Sequence, residues 1–150
     1  MRRRQTAPEQ WFVADAPGRE FWASIRKLPR GSGVLVVAPM SSSERRRLRH
    51  LSRLRSLAVV IEQPRAAARV HNIRELRQAL LSRTELILLS PVFPTASHPD
   101  WLPLPRMRAA ALARLADRRL LALGGMNAKR YAALRPLGFT GWAGISAFRT

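Results

Sequence analysis

The chain has no cysteine. That excludes disulfides, thiolate metal sites and a cysteine nucleophile, and it fits a reducing compartment. Carboxylates are scarce: 9 Asp+Glu stand against 27 Lys+Arg, a formal net charge of +18. Lysine is scarce too, with only Lys27 and Lys129, so the positive charge is almost all arginine. No apolar run approaches the roughly 20 residues of a membrane span. The start, Met1-Arg-Arg-Arg-Gln-Thr6, is basic but has no apolar stretch behind it, so it does not read as a secretory signal. The cytoplasm is the expected compartment, and no membrane partner is expected.

What is present is a chain of 150 residues, 47% hydrophobic, long enough for one domain over residues 1–150 with a real core. Its charge attracts polyanions: nucleic acid, phosphorylated metabolites, acidic membrane surfaces. The arginines recur in every predicted helix and do not interleave with aromatics. They therefore read as solvated helix faces, with nonspecific nucleic-acid binding as a side effect.

The apolar pattern is strand and helix in alternation, which means a parallel sheet with helices outside. Strands are expected at Trp11–Val13, Val34–Ala38, Leu57–Ile61 and Leu86–Leu89, and within the stretches Leu120–Met126 and Gly141–Ala147. Ala67–Val70 reads as either a short strand or a helical turn. Helices are expected over Arg19–Lys27, from Ser41-Ser-Ser43-Glu44 to Leu54, over Ile73–Leu81 behind Asn72, over Arg106–Ala116, and from Asn127 to Leu134. Pro136 and Gly138 stop the last of these. His50 falls on a helix surface, and His71 reads as part of a helix cap. Trp11, Trp22 and Trp142 read as packing residues, while Trp101 sits on a loop.

Three strand ends carry chemistry. Leu86-Ile-Leu-Leu runs into Ser90-Pro-Val-Phe-Pro-Thr95, a loop that goes on to Ser97 and His98. Ala122-Leu-Gly-Gly-Met126 is the second, and Gly144-Ile-Ser146 the third. Glycine lets an anion approach the backbone, and free N–H groups at such turns favour a phosphate.

In order and spacing these three phrases resemble the last three strand ends of the thiamine phosphate synthase/TenI family. The good match runs from about Val70 to Ala147; the first half matches in rhythm only. The resemblance implies a TIM-barrel-like (β/α) parallel sheet. Eight strands do not fit here, so a shortened or incomplete barrel is expected, or one completed by a second chain as a homo-oligomer. A fourth strand and its following helix have no room between Pro64 and Val70, and no last helix follows Ser146 within this sequence.

The resemblance further implies thiamine biosynthesis: a transferase joins thiazole phosphate to an aminopyrimidine diphosphate and releases pyrophosphate. Gly125, Ile145 and Ser146 match the positions that hold the thiazole phosphate. Thr95-Ala-Ser97-His98 matches the Thr-x-Thr-Lys loop that grips pyrophosphate, with histidine for lysine. The departures weigh against full activity. The second strand, Val34-Leu-Val-Val-Ala-Pro39, lacks the family's Gln-x-Arg-x-Lys pattern. The third ends Glu62-Gln63 instead of Asn-Asp, leaving Glu62 as a lone candidate Mg²⁺ ligand. Pro91 stands where the tautomerase branch has histidine, which argues against that activity. Two further readings stay open: a noncatalytic descendant that binds a phosphorylated metabolite, and a basic nucleic-acid-binding domain.

Overall fold

The computed structural model describes residues 7–149. In chain order they form β1 (Gln10–Ala14), α1 (Arg19–Lys27), β2 (Gly33–Val36), α2 (Ser42–Arg55), β3 (Ala58–Ile61), β4 (Ala67–Val70) and α3 (Ile73–Leu81). Then come β5 (Leu86–Leu89), α4 (Arg106–Leu115), β6 (Leu120–Leu123), α5 (Ala128–Leu134) and β7 (Gly141–Gly144). Short 3-10 turns at Arg135–Leu137 and Ser146–Phe148 follow α5 and β7.

The seven strands make one parallel sheet in the order β3-β2-β1-β7-β6-β5-β4. β1 lies between β2 and β7, with Phe12 opposite both Val34 and Gly144. First and last strands pair, as in a barrel, and the sheet curls into an incomplete one. The ambiguous stretch Ala67–Val70 is a strand, with Val70 in register with Leu89. Pairing with the strongly apolar β5 decides this, since alanine alone has no strand preference.

The sheet is open between β3 and β4. Only Glu62–Ala66 connects these two edges. Five residues can hold neither a crossover helix nor another strand. So both helices flanking the absent strand are missing, one more than the sequence suggests.

Packing follows strand alternation. Trp11, Val13, Leu35, Leu88, Leu121 and Ala143 point inward and fill the barrel. On the outside, α1 and α2 pack Ile25, Leu28 and Leu48 against Phe12, Val34 and Val36. On the other half, α3, α4 and α5 bring Leu76, Leu112 and Leu134 against Val70, Ile87 and Leu120. Phe148 stacks on Trp142, ring centroids 4.9 Å apart, and also meets Phe12 at 5.9 Å. The closing turn thus ties the two outer clusters together.

Helix starts are set by local chemistry. Ser41 and Glu44 form a reciprocal capping box at α2, each side chain accepting the other's backbone N–H. Asn72 and Asn127 cap α3 and α5 by accepting from the N–H three residues on.

Candidate functional site

The carboxyl ends of β4 to β7 surround a cavity of about 170 Å³. Each strand end contributes one part. After β5, the loop is anchored over β6: the N–H groups of Val92 and Phe93 donate to the carbonyls of Leu123 and Gly124, at 3.0 and 3.2 Å. Its return is held by the Leu104 N–H on the Pro91 carbonyl at 2.9 Å. Between these anchors the loop presents Thr95, Ser97, His98 and Trp101 to the cavity. The Thr95 hydroxyl accepts from the Ser97 N–H at 3.3 Å. His98 stacks flat on Trp101, with 4.0 Å between centroids and 9° between planes.

After β6, Gly124 and Gly125 take φ of +101° and +59°. A side chain at Gly125 would drive its Cβ to 2.2 Å from the Pro94 carbonyl oxygen. Glycine is therefore demanded by the loop–loop contact itself, besides any ligand. The Arg130 guanidinium donates to the Gly125 carbonyl and lies 4.8 Å over the Phe93 ring. After β7, Ile145 and Ser146 complete the wall. Among the described residues the N–H groups of Gly125 and Ser146 donate to no protein acceptor, so both can serve an anion.

After β4, His71 enters the cavity. Its expected capping role belongs to its neighbours: Asn72 is the N-cap, and the Glu75 carboxylate accepts the backbone N–H of His71 at 2.7 Å. The ring is instead turned to the site. Nδ1 lies 2.6 Å from the Ser90 carbonyl oxygen. A carbonyl can only accept, so Nδ1 carries the proton and Nε2 is the nitrogen available to a ligand. The ring also meets Trp101 edge-on at 5.7 Å.

Arg69 brings a permanent positive charge to the wall. Ala67 and Arg69 face inward while Ala68 and Val70 pack outward. Glu62 is not in the wall; its carboxylate accepts from Arg69 at 3.2–3.3 Å. Among the described residues the lining contains Arg69, His71 and His98 and no carboxylate. Its electrostatics therefore suit an anion.

All six predicted phosphate-site residues, Thr95, Ser97, His98, Gly125, Ile145 and Ser146, meet in this one cavity. Sequence reasoning missed Arg69 and His71. An arginine inside an alanine strand, followed at once by histidine, was the available signal. Among the described residues no group of three or more His, Cys, Asp or Glu is placed to hold a metal by itself. The one candidate carboxylate, Glu62, already serves a guanidinium.

A parallel (β/α) sheet curled into an incomplete barrel, with a cavity at its strand ends, belongs to the TIM-barrel-like class. The family model for thiamine monophosphate synthase matches residues 61–148, and the chain belongs to that family. Among solved structures, it is similar to a thiamine phosphate pyrophosphorylase from Pyrococcus furiosus, with a TM-score of 0.77 and 15% identity. That match covers 95% of this chain and 88% of the other; at such identity it shows the fold alone. No curated protein matches in sequence. Among the described residues, no helix is long and apolar enough to cross a membrane.

Proposed function

We propose that this chain is a thiamine phosphate synthase-like protein that keeps its phosphate-binding half-site and has little catalytic power. The observation that supports this best is the convergence of Ser97, His98, Gly125 and Ser146 with Arg69 and His71 on one acid-free cavity. In the reaction, the pyrimidine carbon–oxygen bond to diphosphate breaks and the thiazole nitrogen attacks the resulting cation. Pyrophosphate leaves with the bond's electron pair, and cations around it lower the barrier. Arg69, His71 and His98 are the side chains that would meet that charge. Mg²⁺, where it takes part, enters on the substrate's phosphates rather than in a protein cage.

Two facts argue for weak turnover. The second strand brings no basic side chain, since Val34–Val36 are all buried and apolar. The cavity of about 170 Å³ is also small, since ordinary ligand pockets hold about 300–1,000 Å³. It suits one phosphorylated group, and two substrates together would require the Trp101 loop to move. Losing one charge-stabilising contact costs about 10²–10³ in rate, so loss of both the second-strand basic pair and a Mg²⁺-binding aspartate, which the family resemblance leads one to expect, leaves turnover on the order of 10⁴–10⁶ below a complete enzyme. The test is thiamine phosphate formation by the purified chain with both substrates and Mg²⁺. Turnover far below about 0.1 s⁻¹ is expected, and turnover at or above that rate would overturn the reading.

A further inference from the structure

The strongest unexplained feature lies away from this cavity. β3 has no following helix, so the outward side chains Val59 and Ile61 stay 37% and 42% exposed. The outer faces of β2 and β5 are covered by α2 and by α3 and α4, respectively. Beside the bare face, α2 turns Arg45, Arg49 and Arg53 toward the same space, at helical spacings of four. Together these groups line a groove of about 1110 Å³ with Leu57 in its floor. Glu9 is the only carboxylate in that lining. None of the three arginines forms an ion pair among the described residues.

We propose that this groove receives an amphipathic helix from a partner protein, with an apolar stripe and acidic flanks. The stripe would cover Val59 and Ile61, where a following helix packs in an ordinary α/β repeat. The acidic flank would pair with the arginine row of α2. Charge chooses among the occupants. A second copy carries the same +18, which opposes its docking on the arginine row. Nucleic acid would answer the arginines but leave the apolar floor uncovered. A bilayer surface cannot enter a recessed groove.

The probe is a fluorescent 18-residue peptide with a leucine stripe and glutamate flanks, titrated into the full chain at about 150 mM salt. There the Debye length is about 8 Å, so diffuse attraction is damped. A scrambled peptide of equal composition controls for net charge. Saturable one-to-one binding, at least tenfold tighter than the scrambled peptide, is expected. The double variant Val59→Asp/Ile61→Asp and the variant Arg45→Glu/Arg49→Glu should each weaken it at least tenfold. The second pair lies on an exposed helix face, so it keeps the test valid if the first disturbs β3. Arg114→Ala/Arg118→Ala, outside the groove, should leave binding unchanged. Equal binding of the scrambled peptide, or full binding by both groove variants, would overturn the proposal. So would sedimentation showing a dimer that Val59→Asp/Ile61→Asp dissolves, since the face would then belong to a second copy.

Discussion

Arg69 and Glu62 meet across the open seam of the barrel, the guanidinium Nη2 3.2 Å from the carboxylate Oε1. One side chain comes from β4 and the other from the end of β3, the two edges that no backbone ladder joins. Both are partly exposed, at 41% and 32%. A pair this wet contributes only about 0–1 kcal/mol to stability. Its importance is electrostatic: Arg69 is held at the cavity with its charge already part-neutralised.

Arg69→Ala should therefore weaken pyrophosphate binding about tenfold to a hundredfold, the range of a lost charge-assisted hydrogen bond. Stability should fall by no more than about 1 kcal/mol. Glu62→Ala should leave pyrophosphate binding equal or tighter, because it frees the guanidinium. Calorimetric titration of both variants checks this. A loss of Mg²⁺-dependent binding in Glu62→Ala would instead make Glu62 a metal ligand.

Trp101 is 45% exposed, while Trp11, Trp22 and Trp142 are 4%, 8% and 4% exposed. Acrylamide should thus quench mainly Trp101. Thiazole phosphate should shield it and inorganic phosphate should not, if the ring of the ligand stacks in the His98–Trp101 region. Trp101→Ala should weaken thiazole phosphate roughly two- to tenfold relative to inorganic phosphate, the range for an aromatic pair. Equal loss for both ligands would remove the stacking role.

Gly125→Val should lower stability by at least 1–3 kcal/mol, roughly the cost of a strained backbone, because of the positive φ and the Pro94 contact. Any binding loss there reports the loop as well as the ligand. Substitution at the exposed Ser146 avoids this: Ser146→Ala removes only the hydroxyl of a residue that lines the cavity. Thermal denaturation run beside phosphate titration separates the two effects. A Gly125→Val chain as stable as the parent would contradict the packing described.

Burial, followed by the carboxylate of Glu9, raises the Tyr131 hydroxyl above its ordinary pKa of 10.0, with Arg135 pulling the other way. Its hydroxyl donates to the Phe139 carbonyl at 3.3 Å. The folded value exceeds the unfolded one, so this contribution is whole below about pH 10 and is lost as pH rises through the folded value. Urea unfolding at pH 8 and pH 10.5 should show the loss in the parent and less of it in Tyr131→Phe. The same loss in both would assign it elsewhere.

The parts legible in the sequence are those fixed by near neighbours. Leu86–Leu89 announces a buried strand by four apolar residues, and Asn127 announces a helix start by its own side chain. Gly124–Gly125 announces a turn with left-handed backbone. Ala67–Val70 was ambiguous because its alanines carry no preference and pairing with β5 decides it. His71 looked like a cap because its ring is aimed by Ser90, 19 residues on. The Arg69–Glu62 pair was invisible because it depends on how far the sheet curls, which no local pattern states.

The retained phosphate half-site is tested most directly by titrating the chain with thiazole phosphate in a calorimeter at about 150 mM salt, beside the Arg69→Ala and Ser146→Ala variants. The account predicts saturable one-to-one binding by the parent, weakened roughly tenfold or more in Arg69→Ala and about two- to tenfold in Ser146→Ala, while their thermal stability is kept. No saturable binding by the parent, or the same affinity in all three chains, would contradict it.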